Sequence, residues 1–192
     1  SFAREHGLKV GTISDLIAYR RRSESLVERV VEAPFESWHG DFRIVVYRNT
    51  VDGGEHVALV RGTPRRDAPT LVRVHQFDLT ADLLGWRAAH RDYVPTALRE
   101  LASHDGPAVA VFVSDPSPTS ISERVKGNRK AYADTHGYRD YGLGAQILLD
   151  QGVGKMILLT SSSGKMTALE GFGLTVVAKR PLADRGVKLV AS

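Results

Sequence analysis

The sequence predicts an α+β to α/β fold built on one mixed sheet, with an antiparallel N-terminal half and strand/helix alternation in the C-terminal half. Two observations support this prediction. Residues 51–56, VDGGEH, separate two apolar runs with a glycine pair that is typical of a hairpin turn. After residue 94, helix-like and strand-like runs follow each other regularly, which is typical of parallel strands covered by helices.

The N-terminal half contains short runs rich in β-branched and aromatic residues, each bounded by turn residues. These runs predict strands from Phe42 to Arg48, from His56 to Arg61 and from Leu71 to His75. Because a tight turn joins the first two, we expect this half to be antiparallel.

The C-terminal half alternates between the two kinds of apolar pattern. In residues 141–152, the stripe of Leu143, Ile147 and Leu148 predicts a helix that ends at Gly152 in the C′ position. The other predicted elements are a helix at 94–106, a strand at 107–113, a strand at 155–160, a short helix at 164–173 and a strand at 174–180.

The bulk composition narrows the classes of function. The 192 residues suit one domain with an appendage, and 42% apolar with 25% charged residues indicate a globular protein. No run suggests a membrane span or a signal peptide, so we expect a cytoplasmic protein. The net charge of +4 is spread out, and we expect the arginines at 20–22 and 61–66 to be solvated rather than to bind nucleic acid.

The chain contains no cysteine. This absence excludes disulfides, thiolate nucleophiles and any zinc or iron site with sulfur ligands.

The first residues form an expected appendage. TISDLIAYRRR, residues 12–22, predicts a helix with Thr12 or Ser14 as its N-cap. The boundary with the body is expected near residues 24–34, which divides the chain into a tail at 1–32 and a domain at 33–192.

Two stretches could bind an anion. LLTSSSGKM, residues 158–166, places Thr160 and Lys165 between a strand and a helix start, where backbone N–H groups attract phosphate. It is not a P-loop, because Leu159 replaces the first glycine and Met166 the magnesium-binding hydroxyl. Arg139 in YRDYGLGAQ could likewise bind a phosphate. A capped helix and a local salt bridge are the alternatives, and VSDPSPTSIS, residues 113–122, is expected to be a structural loop.

Residues 75–93, HQFDLTADLLGWRAAHRDY, contain metal-ligating residue types. Asp78 and His90, with His75 nearby, are candidate ligands, but their spacing matches no metal motif. Asp82 and Asp92 are equally typical of a turn and of a helix start.

Four ordered motifs carry a family resemblance: RVHQFDLTADLLG, RDYGLGAQIL, LLTSSSGK and ALEGFGLTVVAKRPL. Together they resemble GTP cyclohydrolase II, a zinc enzyme of riboflavin synthesis, from about Glu32 to Leu182. The tail resembles the end of 3,4-dihydroxy-2-butanone 4-phosphate synthase. The resemblance therefore implies a fused synthase domain as partner, and a homodimer.

The resemblance also places the zinc site. The family holds zinc with three cysteines, and the matching positions here are Asp78, Ala89 and Arg91. Zinc activates the water that opens the guanine imidazole ring and releases formate. We therefore expect no zinc cofactor in this chain.

Other family positions are partly kept. Arg139 matches the arginine proposed to attack the α-phosphate, and Arg73, His75, Thr160 and Lys165 match nucleotide-binding positions. The family's glutamine, glutamate, glycine, arginine, glycine loop corresponds to residues 114–120, which contain no arginine. The position of the proposed proton acceptor, two residues before Arg139, holds glycine.

Three hypotheses remain open. The first is a degenerate cyclohydrolase domain with a structural, regulatory or nucleotide-phosphate-sensing role. The second is a residual enzyme, either a cyclohydrolase with a metal site that uses Asp78 and His90 or a nucleotide pyrophosphohydrolase acting through Arg139. The third is an interaction module that binds no ligand.

Overall fold

A computed structural model describes residues 6–7, 24–86, 92–115, 117, 119–127, 142–160 and 172–182. The helices in these ranges are α1 (Tyr93–Ala102), α2 (Ser120–Val125) and α3 (residues 142–150), and a π-helical turn spans Leu79–Leu83. The strands are β1 (Val27–Ser37), β2 (Gly40–Asn49), β3 (Glu55–Arg61), β4 (Pro69–Gln76), β5 (Ala108–Val113), β6 (Lys155–Leu159) and β7 (Thr175–Arg180).

All seven strands form one sheet in the order β1-β2-β3-β5-β4-β6-β7. β1, β2 and β3 form an antiparallel meander, and β3 also pairs antiparallel with β5. β4 lies parallel between β5 and β6, and β7 pairs parallel with β6. The predicted mixed sheet, with an antiparallel N-terminal part and alternating elements behind it, is confirmed.

The hairpin between β2 and β3 follows from its turn residues. Gly53 has a φ of 73°, which a residue without a side chain adopts at little cost, and its N–H donates to the Asn49 carbonyl oxygen at 2.9 Å. The buried Asn49 side chain donates to Asp52 at 2.9 Å. This turn sets the register in which Arg48 faces Glu55.

Three elements differ from the sequence predictions. β4 was expected in the antiparallel half, but it runs parallel to both neighbours, because those neighbours are later strands and not β3. β1 was not predicted as a strand, since most of its residues are exposed on both faces and show no apolar alternation. The loop predicted at 113–122 gives way to α2 at Ser120, a helix with no buried residue.

The sheet carries a hydrophobic core on each face. Successive residues of a strand point to opposite faces, so Ala58 and Val60 of β3 join one core and Leu59 joins the other. α3 covers the first core with Ile147 and Leu148, both fully buried. The second core is covered by α1, through residues that include Leu98 and Leu101.

The end of α3 confirms the predicted stop signal. Gly152 has a φ of 82° and donates its N–H to the Leu149 carbonyl oxygen at 3.0 Å, while the Val153 N–H donates to that of Leu148 at 3.0 Å. These bonds satisfy carbonyl groups that a helix end leaves open.

A polar network joins the end of α3 to the edge of the sheet. The hydroxyl group of Tyr47, which is 1% exposed, donates to Asp150 and accepts a hydrogen bond from Gln151. Arg29 of β1 pairs with Asp150 at 2.7 Å, and Arg43 of β2 donates to Gln151 at 3.0 Å. Burial, followed by the hydrogen bond to Asp150, raises the pKa of Tyr47 far above its usual value, so the hydroxyl remains a donor.

Some sequence predictions fall outside the described residues. These are the tail helix at 12–22 and most of the short helix at 164–173. The division of the chain at residue 33 stays a prediction, and β1 runs without interruption across that position. No helix in the described part of the chain is both long and apolar enough to span a membrane.

Candidate functional site

The candidate site lies where the parallel strands end. Gln76 ends β4 beside Val113, the last residue of β5. β6 ends at Leu159, one residue after Leu158, which pairs with Val72 of β4. Ligands in open α/β sheets bind outside the carboxyl ends of such strands. Residues 77–86, called the β4 turn below, leave the sheet at this edge.

Asp78 organises the β4 turn. Its Oδ1 accepts hydrogen bonds from the backbone N–H of Thr80 at 3.0 Å and of Ala81 at 3.2 Å, and from the Thr80 hydroxyl group at 2.6 Å. Its Oδ2 forms an ion pair with Arg124 of α2. Burial would raise the pKa of Asp78, but the hydrogen bonds from Thr80, Arg124 and Ala81 outweigh it and hold that pKa below its ordinary value.

Arg124 contacts an aromatic ring as well as a carboxylate. Its guanidinium carbon lies 5.1 Å from the centre of the Trp86 ring, within the range of a cation–π interaction. The side chains of Arg124 and Asp78 are 19% and 23% exposed, so solvent screens this pair only in part.

His75 connects β4 to the same turn. Its Nε2 lies 2.8 Å from Asp82 Oδ2, and its Nδ1 lies 3.4 Å from an Arg73 guanidinium nitrogen. Arginine can only donate, so Nδ1 accepts and Nε2 carries the proton that is donated to Asp82. Asp82 also accepts the Asp78 N–H at 2.9 Å. Both ring nitrogens of His75 therefore face protein groups.

Arg73 links β4 to the end of β6. It donates to the Leu159 carbonyl oxygen at 3.1 Å, and its guanidinium carbon lies 5.5 Å from the centre of the Tyr93 ring. The next residue, Thr160, is 7% exposed and donates its N–H to the Arg180 carbonyl oxygen at 2.9 Å. The structure thus brings Arg73, His75 and Thr160 to one edge of the sheet.

A buried histidine holds the segment that follows β5. His56 of β3 is fully buried, and its Nδ1 accepts the Ser114 N–H at 3.1 Å. Among the residues that the structure describes, none forms a hydrogen bond with its Nε2. Burial lowers the pKa of His56, because a charged imidazole loses solvation in the core.

Acidification is expected to weaken the fold through His56. The unfolded chain takes up the proton near pH 6.5, whereas the folded chain takes it up at lower pH. The neutral form thus contributes its full stability above about pH 6.5. This contribution is lost as pH falls toward the folded pKa, by up to about 1.4 kcal/mol per pH unit.

Urea unfolding at pH 7.5 and at pH 5.5 measures this effect. We expect His56→Gln to lose less stability between these pH values than the parent does. His39→Gln, at a partly exposed histidine in the β1–β2 turn, serves as the control and should follow the parent. Equal losses in parent and His56→Gln would contradict the prediction.

Comparison with known proteins identifies the family. The family model described as GTP cyclohydrolase II matches residues 28–181. The chain belongs to the GTP cyclohydrolase II family. The resemblance stated from the sequence motifs is therefore confirmed.

Several proteins similar to this chain are about twice as long as it is. The "Riboflavin biosynthesis protein RibBA" of Aquifex aeolicus is 41% identical, with 94% of this chain and 48% of the relative covered. A "3,4-dihydroxy-2-butanone 4-phosphate synthase" of Neisseria meningitidis serogroup B is 40% identical, with 92% and 48% covered. The crystal structure of RibBX, a two-domain 3,4-dihydroxy-2-butanone 4-phosphate synthase from A. baumannii, superposes with a TM-score of 0.64 at 34% identity. The superposition covers 95% of this chain and 48% of the RibBX chain.

The described residues include only some of the GTP cyclohydrolase II positions inferred from the motifs. Arg73, His75, Asp78 and Thr160 are described, and their predicted roles in binding a nucleotide or replacing a ligand stay predictions. The remaining positions lie outside the described residues: Ala89, His90, Arg91, Arg139 and Lys165. Within the described ranges, no three His, Asp or Glu side chains are grouped so as to hold a metal ion.

Two residues of the candidate site were not predicted from the sequence. Arg124 was not singled out, because the residues around it, SERVK at 122–126, match no motif. His56 gave no signal, because a lone histidine in a strand is indistinguishable from an exposed one. The alternative reading of Asp82 and Asp92 holds, since Asp82 lies in the π-helical turn and Asp92 immediately precedes α1.

Proposed function

We propose that this chain is the GTP cyclohydrolase II-like domain of a riboflavin-biosynthesis fusion protein, that it does not open the imidazole ring of GTP, and that its role is structural or regulatory. The observation that carries the proposal is the state of Asp78. At the position of the family's first zinc ligand, both carboxylate oxygens already serve protein groups.

The residues at the three ligand positions do not fit a zinc ion. Zinc in this family is held by thiolates, and the chain has no cysteine. Alanine at 89 has no donor atom, and the guanidinium at 91 is a cation that repels metal. A metal at Asp78 would lie beside the Arg124 guanidinium, which repels it, and displacement of Arg124 would leave a partly buried cation without its partner.

The lengths and names of the relatives support a fused partner. This chain spans about half the length of the relatives it matches. The Neisseria relative and the A. baumannii structure are named for the synthase alone, although each contains a region similar to this chain. We therefore propose a 3,4-dihydroxy-2-butanone 4-phosphate synthase domain as the fused partner, and a homodimer as the assembly that the family implies.

Within this role, we propose that Arg73, Thr160 and Lys165 bind the phosphates of GTP or a related ligand. His75, whose ring nitrogens face Arg73 and Asp82, would position Arg73 in the same site. The support is spatial, because Arg73 reaches from β4 to the carbonyl group that precedes Thr160. Phosphate contacts need only cations, hydroxyl groups and backbone N–H groups, so loss of the zinc ligands does not remove them.

Metal analysis combined with a GTP assay tests the loss of ring opening. We expect the purified protein to contain far less than one zinc per chain and to release no formate from GTP. A family member that has all three cysteines serves as the control and should contain about one zinc per chain and release formate. Pyrophosphate is measured in the same samples, because its release without formate would favour the pyrophosphohydrolase alternative through Arg139, which Arg139→Ala should then abolish. One tightly bound zinc per chain would overturn the proposal.

Titration calorimetry with GTP, GMP and riboflavin phosphate separates the two remaining roles. Binding that Lys165→Ala weakens would support phosphate sensing. No heat with any of the three ligands would leave an interaction module and would contradict the sensing role. Lys126→Ala, which removes a cation paired with Glu123 on α2, is the matched control.

A further inference from the structure

We infer that Arg124, paired with Asp78 and with its guanidinium carbon over the Trp86 ring, holds the β4 turn in the place where the family uses a metal centre. These three side chains are called the clamp below. The inference rests on the proposed metal-free function and names the side chain that holds the turn without a metal.

The clamp joins two segments that lie far apart in the sequence. Asp78 and Trp86 belong to the β4 turn, and Arg124 belongs to α2, 46 residues after Asp78. α2 is six residues long and buries none of them, and its apolar side chains Ile121 and Val125 are 52% and 62% exposed. Hydrophobic burial therefore does not hold α2, whereas its arginine is largely shielded.

In the clamp, both carboxylate oxygens of Asp78 accept hydrogen bonds. One carboxylate oxygen caps the π-helical turn from inside, and the other accepts the Arg124 Nε–H group. The turn is closed further by the Trp86 N–H, which donates to the Thr80 carbonyl oxygen at 2.9 Å. Asp78 thus links the backbone of the turn to α2 as a single bridging group, as a metal ion links its ligands.

Arginine suits this position better than lysine does. Its guanidinium donates from Nε to Asp78 while the guanidinium carbon lies over the Trp86 ring, an arrangement that a lysine ammonium group cannot reproduce. The neighbouring cation Lys126 is 62% exposed and pairs with Glu123, so it takes no part in the clamp. A metal that binds ligands at 78, 89 and 91 ties the turn to its own next residues, whereas Arg124 ties it to the segment after β5.

A double-mutant cycle with Asp78→Asn and Arg124→Gln tests the clamp. Trp38→Phe serves as the background, because it leaves Trp86 as the single tryptophan. We expect the two substitutions to be coupled, so that together they change the unfolding equilibrium constant about 5- to 30-fold less than the product of their separate effects. We also expect Arg124→Gln to shift the Trp86 emission to longer wavelength, as water replaces the guanidinium.

Two further variants make the readout specific. Arg124→Lys keeps the charge but not the guanidinium group over the Trp86 ring. It should therefore keep part of the coupling with Asp78 but show the same shift of Trp86 emission as Arg124→Gln. Lys126→Gln on the same helix should change neither. Additive effects of Asp78→Asn and Arg124→Gln, or an unchanged Trp86 emission in Arg124→Gln, would overturn the clamp.

A chelator distinguishes failure of the clamp from failure of the proposed function. The full protein with Trp38→Phe is measured before and after treatment with EDTA, and no change in Trp86 emission is expected. A shift on chelation would show that a metal holds the turn, which would contradict both ideas. If the effects of Asp78→Asn and Arg124→Gln are additive and EDTA leaves the Trp86 emission unchanged, the clamp is wrong but the proposed function is not contradicted.

Discussion

The triple variant Asp78→Cys, Ala89→Cys, Arg91→Cys is expected to bind about one zinc ion per chain, whereas the parent binds almost none. The family resemblance places three thiolates at these positions, and thiolates with a water molecule satisfy the tetrahedral preference of zinc. Binding to the folded state alone also stabilises it, by about 2.7 kcal/mol when free zinc is 100 times the dissociation constant. Metal content after dialysis and thermal unfolding with and without zinc measure both effects.

The matched control has serine at the same three positions. Serine has nearly the same size as cysteine but gives no thiolate, so this variant should bind no zinc and show no zinc-dependent stabilisation. If the cysteine variant folds and retains no more zinc than the serine variant, the assignment of residues 78, 89 and 91 to the family's metal site is wrong. The test needs no catalytic activity, so it remains informative if other parts of the active site have been lost.

Tyr47→Phe is expected to destabilise the protein by about 1.5 to 3 kcal/mol, the range for loss of a hydrogen bond to a charged group. The substitution keeps the aromatic ring in the core and removes only the hydroxyl group that donates to Asp150. The Gln151 side chain, 6% exposed, loses its acceptor at the same time. Urea unfolding at pH 7 measures the change.

Arg48→Gln provides a comparison on the same strand. Arg48 pairs with Glu55 at 3.2 Å, but the two side chains are 49% and 55% exposed, so its loss should change the unfolding free energy by less than about 0.5 kcal/mol. A Tyr47→Phe variant as stable as Arg48→Gln would show that the network at the end of α3 contributes little.

The predicted part of the fold is the part that buries apolar residues in a regular pattern. The runs in β2, β3 and β5 and the stripe of Leu143, Ile147 and Leu148 were read correctly, because each fills one of the two cores. β1 was missed because an edge strand needs no buried face, and its charged residues with Pro34 resemble a linker. The direction of β4 depends on strands that come later in the chain, so no local pattern contains it.

The sequence motifs located the candidate site, but the contacts between its side chains were not predicted. Asp78 was singled out first as a candidate metal ligand and then because the family resemblance places a cysteine there. Its partner Arg124 lies 46 residues away in a segment with no recognisable motif, and no spacing rule connects the two. Likewise, the bond from Ser114 to His56 arises only because β3 and β5 are neighbours in the sheet. Contacts that tertiary pairing creates cannot be read from residues alone.

The position of β4 between two later strands has a kinetic consequence. The β1–β2–β3 meander can form from contacts close in sequence, but β4 has no strand to pair with until β5 and β6 have been synthesised. Topologies dominated by such distant pairings fold slowly and expose unpaired strand edges for longer. We therefore expect both edges of β4 to stay unpaired for longer than those of β2 while the chain is being synthesised.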